Sequence, residues 1–122
     1  MKVPKTLQVS CVQLHWAKSL ERNLERTRYY IRLATEEGSR IVLFPEVSLT
    51  GYYFPDIIRL APGAVRDALV QTSRAAKEAG VWVIVGTLRK TADRFLNLAH
   101  VISPSGAIVH EYAKVHYRAL QN

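Results

Sequence analysis

The stretch IVLFPEVSLTGY, residues 41–52, decides how the rest of the chain is read. Ile41 to Pro45 is an unbroken apolar run of the types that fill a strand buried on both faces of a parallel sheet. Pro45 has no N–H to give to a ladder, so the strand stops there and Glu46 falls at its carboxyl end. Open parallel sheets carry their ligand sites at that edge. A carboxylate held there suits general acid or base chemistry; the plainer alternative is a solvated Glu in a strand-to-loop turn.

Upstream, Leu7 to Leu14 predicts a first strand, with Leu7, Val9 and Cys11 on one face and Val12 and Leu14 on the other. Cys11 is expected in the core and inert, since buried thiols are commonly so and nothing basic sits beside it in the strand. Ser19 is placed to cap a helix whose apolar stripe is Leu20, Leu24, Thr27, Ile31 and Ala34, and Gly38 ends it. Strand, helix and the 41–45 strand form a βαβ unit, which requires parallel strands.

Downstream, Gly51 permits a turn, and Tyr52, Tyr53 and Phe54 gather three rings in the loop after Glu46, where binding residues concentrate. These three are the candidates for a substrate pocket, against the alternative that they cap the core. Pro55 opens a short helical turn through Ile58. Val65, Ala68, Leu69, Thr72, Ala76 and Ala79 stripe a second long helix that Gly80 closes. Val81 to Val85 is a third buried strand. Only a polar loop around Arg89 to Arg94 separates it from Phe95 to Ile102, too little for a crossover helix, so this strand must reverse. Ser103-Pro104-Ser105-Gly106 turns the chain back into Ala107 to Tyr112. Two reversals restore the original direction, and Lys114 therefore emerges on the same sheet edge as Glu46.

The 122 residues and 48% hydrophobic content allow one domain or part of one. No apolar run approaches the roughly 20 residues of a membrane span, and the start lacks the apolar core of a signal peptide, so a cytoplasmic location and no membrane partner are expected. The net charge of +7 is spread over helices and loops without interleaved aromatics, so nucleic acid is not an expected partner. His15, His100, His110 and His116 lack the spacing of metal ligands, and neither metal nor cofactor is expected.

The segments FPE at 44–46, LTGY at 49–52 and YAKVHY at 112–117 resemble, in order, signature regions of the nitrilase superfamily, the carbon-nitrogen hydrolases. Gln13 and the run NLAHVISPSGAIV at 97–109 extend the resemblance over about residues 7–117. It implies an α/β fold, part of an αββα sandwich with a mixed, mostly parallel sheet and helices on one face. It also implies a Glu-Lys-Cys triad cleaving a small-molecule amide, carbamoyl amine or nitrile, and a homo-oligomer when intact. By position Glu46 resembles the general base and Lys114 the cation for the tetrahedral intermediate. The nucleophilic thiol has no counterpart, since Cys11 stands at the wrong place in the order. Residues 1–122 are thus expected to be an amino-terminal part cut before the nucleophile, inactive alone. GYYFPDII at 51–58 is also similar to a loop of glutaminase domains attached to NAD synthetases. A non-catalytic half-fold that binds or scaffolds through its open sheet is the alternative from another class.

Overall fold

The computed structural model of the protein describes residues 5–115. Its elements run β1 (Val9–Cys11), α1 (Leu20–Glu36), β2 (Ile41–Leu43), α2 (Phe54–Ile58), α3 (Ala64–Ala79), β3 (Trp82–Lys90), β4 (Phe95–Ile102) and β5 (Ile108–Ala113). The five strands form one sheet in the order β1-β2-β3-β4-β5. The first two pairings are parallel and the last two antiparallel, so four of the five strands point the same way and β4 alone is reversed. The α/β class and the mixed sheet are as the sequence implies.

The helices form where their stripes and caps dictate. Ser19 accepts a hydrogen bond from the Arg22 N–H, and α1 buries Leu24, Thr27, Ile31 and Ala34 on one side. Gly80 ends α3 in the left-handed conformation. Their apolar stripes meet Val42, Val83, Val85 and Ile102 in a single core. Cross-strand partners share a face, so Ser10, Val42, Val83 and Ile102 look toward the helices.

Among the described residues no helix lies over the β1 side of the opposite face. Val9, Ile41 and Trp82 form one row across it, and Cys11, Leu43, Ile84 and Val101 the next. Trp82 is 39% exposed and Tyr112, farther along, 55%. This corrects the reading of Cys11: the thiol is exposed, not in the core, because it belongs to the uncovered face of an edge strand. The same geometry leaves Leu43 half-exposed where a strand buried on both faces was expected.

Two boundaries also differ. β1 is shorter than Leu7 to Leu14, although the Val12 N–H still reaches the Leu43 carbonyl at 2.8 Å. β3 runs past Val85 to Lys90, because β4 pairs with it as far as Lys90 and Phe95. The polar loop is therefore only the tip of a hairpin, closed by the Thr91 N–H on the Arg94 carbonyl at 2.7 Å. Of the residues singled out in the sequence, His116 and Tyr117 lie outside the described residues.

Candidate active site

Glu46 is positioned by a segment that leaves β2 and coils beside β3. The Phe44 N–H bonds the Ile84 carbonyl at 2.9 Å, and the Leu49 N–H bonds the Gly86 carbonyl at 3.0 Å. Thr50 Oγ1 then accepts the Leu88 N–H at 2.8 Å. Backbone groups that lost their strand neighbour at Pro45 are thereby paired again. Asn23, fully buried at the start of α1, donates to the Leu49 carbonyl at 3.1 Å and ties the segment to the helix.

Such close packing needs Gly86. A Cβ there would sit 2.4 Å from the Val47 nitrogen and 3.2 Å from the Glu46 carbonyl carbon. Val47 itself is fully buried with φ of 49°, a left-handed conformation that costs a β-branched residue of order 1–3 kcal/mol. Strain of this kind persists only where the surroundings over-determine it. Here it lies directly after the candidate base.

Three donors converge on that carboxylate. Lys114 Nζ donates to Glu46 Oε1 at 2.8 Å, and Asn97 Nδ2 donates to the same oxygen at 2.7 Å. The Tyr52 hydroxyl donates to Oε2. Lys114 follows β5 directly, and its N–H continues the ladder to the Asn97 carbonyl at 2.9 Å. By alternation Asn97 shares the face of Ala99 and Val101, so the site borders the uncovered side of the sheet. Glu46 and Lys114 side chains remain 44% and 40% exposed.

The Lys114 ammonium, foremost, and then the Tyr52 hydroxyl hold the Glu46 carboxyl below its ordinary range, against the opposing effect of burial and with further help from Asn97. Glu46 is consequently a carboxylate near neutrality. Tyr52 is pushed up to about 12 by burial and by the adjacent carboxylate, so it stays a neutral donor.

The three ring candidates do not act together. Tyr52 faces Glu46, whereas the Tyr53 ring lies 4.0 Å under Lys18 Nζ. Phe54 stacks on Phe95, with centroids 4.7 Å apart. Asn97 was missed in the sequence, although a lone amide between Leu96 and Leu98 in an apolar strand is the kind of buried polar group that asks for a partner. Cys11 is remote from Lys114. β1 and β5 are the two edges of the sheet, four spacings of about 4.8 Å or roughly 19 Å apart.

A second polar cluster lies on the helical side. Fully buried His100 contacts Thr87 Oγ1 at 2.8 Å through Nε2 and Glu111 Oε1 at 3.1 Å through Nδ1. The carboxylate can only accept, so Nδ1 carries the proton and Nε2 accepts from Thr87. Arg89 holds Glu111 from the other side at 3.2 Å. A cleft of about 580 Å³ opens nearby, lined by Leu69, Thr87, Arg89, Ile108 and Glu111 among others. Glu46 is not among its walls, and convergent donors mark a chemical site better than volume does. No group of three or more His, Cys, Asp or Glu side chains that could hold a metal occurs among the described residues.

The chain belongs to the carbon-nitrogen hydrolase family, whose model matches residues 8–121. It is 32% identical over 115 residues to omega-amidase NIT2 of Bos taurus, covering 91% of this chain and 41% of that protein. Against the 2-oxoglutaramate amidase of Bacillus subtilis (strain 168) it is 30% identical over 112 residues, covering 88% and 42%. The fold matches that of an amidase from Nesterenkonia sp. AN1 with a TM-score of 0.83 at 19% identity, covering 93% of this chain and 46% of that one. That structure is of a glutamate-to-glutamine mutant and shows Michael addition of acrylamide at the active-site cysteine. The chain thus spans less than half the length of each of these proteins. No described helix is long and apolar enough to cross a membrane.

Proposed function

We propose that residues 1–122 are the amino-terminal part of a carbon-nitrogen hydrolase domain that cleaves the amide bond of a small, non-peptide substrate of the omega-amide kind. Glu46 is the general base in this reading, Lys114 the cation that stabilises the tetrahedral oxyanion, and a cysteine thiol beyond these residues the nucleophile. The observation that carries it is the Glu46–Lys114 contact at 2.8 Å, made across 68 residues at the carboxyl edge of the sheet. The omega-amidase and 2-oxoglutaramate amidase relatives support the substrate class, and the acrylamide adduct of the Nesterenkonia amidase supports a thiol nucleophile.

The division of labour follows from relative acidities. A free thiol is a weaker acid than a free carboxyl, and Glu46 is held below the ordinary carboxyl range, so proton transfer from the thiol to Glu46 is uphill. Lys114 stands beside the carboxylate and stabilises the anion left on sulfur, and then the oxyanion formed when that sulfur adds to the amide carbon. Protonated Glu46 returns its proton to the departing ammonia, and water, activated by the same carboxylate, releases the acid from the thioester.

Within this reading the isolated chain is silent. Removing the nucleophile of a catalytic triad costs several orders of magnitude, and Cys11 lies at the opposite sheet edge from Lys114. The test is ammonia release from small primary amides by the gene product that contains these residues, with Glu46→Gln and Lys114→Met variants. Loss of at least about 10²-fold in each supports the roles. Unchanged rates in either remove that residue from the mechanism.

A further inference from the structure

The geometry points to Asn97 and Tyr52 as positioning residues that, together with Lys114, leave Glu46 a single open acceptor position, on Oε2, through which it exchanges its proton. This deepens the proposed hydrolase reading and rests on it for the word base; the lone-pair count itself does not. An ionised carboxylate offers about four lone-pair positions, two on each oxygen. Lys114 Nζ and Asn97 Nδ2 occupy both on Oε1, and the Tyr52 hydroxyl occupies one on Oε2. One remains.

The two residues come from separate parts of the fold, which is why their arrangement restricts the carboxylate. Tyr52 closes the strained segment that carries Glu46, and Asn97 projects from β4. Asn97 also accepts the Lys114 N–H at its own carbonyl, so one residue sets the height of the cation and the orientation of the base. With Oε1 doubly held, rotation of the carboxylate would break two hydrogen bonds, one of them charge-assisted by the ammonium. The proton therefore enters and leaves on Oε2. The attacking S–H loses its proton to that oxygen, the pair of electrons stays on sulfur, and the Tyr52 O–H remains a donor to Oε2 throughout.

Tyr52 and Asn97 thus determine the proton affinity of the base as well as its direction. Tyr52→Phe removes one donor without changing the ring, and Asn97→Asp keeps the shape but replaces a donor with a second carboxylate. Each raises the midpoint of Glu46. The readout is the carboxyl-carbon NMR titration of Glu46 in selectively labelled protein, which needs no turnover. The expected shift is upward by about one pH unit for Tyr52→Phe, and by more for Asn97→Asp, where like charge adds to the lost donor. In the active gene product the acid limb of kcat/KM should move by the same amount while KM stays nearly constant, a split that mere loosening of the fold would not produce. A wild-type midpoint in either variant overturns the inference. Should no amide be hydrolysed at all, the hydrolase reading fails while the titration still decides the positioning on its own.

Discussion

Gly86→Ala probes the packing that puts Glu46 in place. The added Cβ would lie 2.4 Å from the Val47 nitrogen and 3.1 Å from its Cα, both backbone atoms that cannot swing aside as a side chain can. Ordinary contact begins near 3.4 Å, so the 46–47 backbone or β3 must retreat by about 1 Å. A retreat of that size carries the Lys114 and Asn97 contacts, now 2.8 and 2.7 Å, beyond hydrogen-bond reach. Overpacking of this kind costs about 1–3 kcal/mol, a fall in Tm of about 4–12 °C for a chain of this size. In an active gene product a 1 Å misplacement of the base costs about 10²-fold in rate. Thermal unfolding followed by circular dichroism, with the Glu46 carboxyl titration alongside, reads both effects. An alanine variant that melts within a degree of wild type with an unmoved carboxyl midpoint would refute the claim that Gly86 sets the approach.

Burial lowers the pKa of His100 more than Glu111 raises it, so the unfolded chain binds the extra proton first. Stability should be fully present above about pH 6.5 and fall as the pH drops below it; urea midpoints between pH 8 and 5 test this, and His100→Asn should flatten the slope. Glu46 adds little to that profile. Its lowered pKa gives a contribution present above about pH 4.3 and lost below, but so exposed a pair is worth at most about 1 kcal/mol, and Lys114→Met should move the neutral-pH urea midpoint no further than that. The uncovered face leaves Val9, Leu43, Trp82 and Tyr112 in water, and each forgoes a share of the roughly 1.5–3 kcal/mol of full burial. Micromolar sedimentation of the 122-residue chain should show self-association with binding of an apolar dye, reduced by Leu43→Lys and Trp82→Lys; a monodisperse, dye-silent wild type would contradict it.

Most of this architecture was legible because the local signals agree. Ser19, Gly38 and Gly80 punctuate helices whose stripes are continuous, and Pro45 stops a strand where no ladder partner could use its nitrogen. Counting strand directions brought Lys114 to the edge of Glu46 without any side-chain information. What escaped depends on which side of the sheet a helix covers. Alternation sorts Cys11 with Val9, but only the placement of α1 and α3 over the other face shows that both meet water. Gly86 and Leu88 lie past Val85, where the strand was expected to end, since their role lies in what meets them from residues 46–50. The left-handed Val47 and the buried His100 have no local signature, because tertiary contacts impose both. Tyr52, Tyr53 and Phe54 looked alike as neighbours, yet their rings turn to three different partners.

Ammonia release from a small primary amide decides whether Glu46 serves as the general base of an amide hydrolysis. It should be measured on the 122-residue chain alone, on a longer gene product that contains these residues together with a nucleophilic cysteine, and on the Glu46→Gln form of that product. Turnover is expected from the longer product, with loss of at least about 10²-fold on Glu46→Gln, and none above background from the chain alone. Turnover by the chain alone at the rate of the longer product, or a longer product indifferent to Glu46, would contradict it.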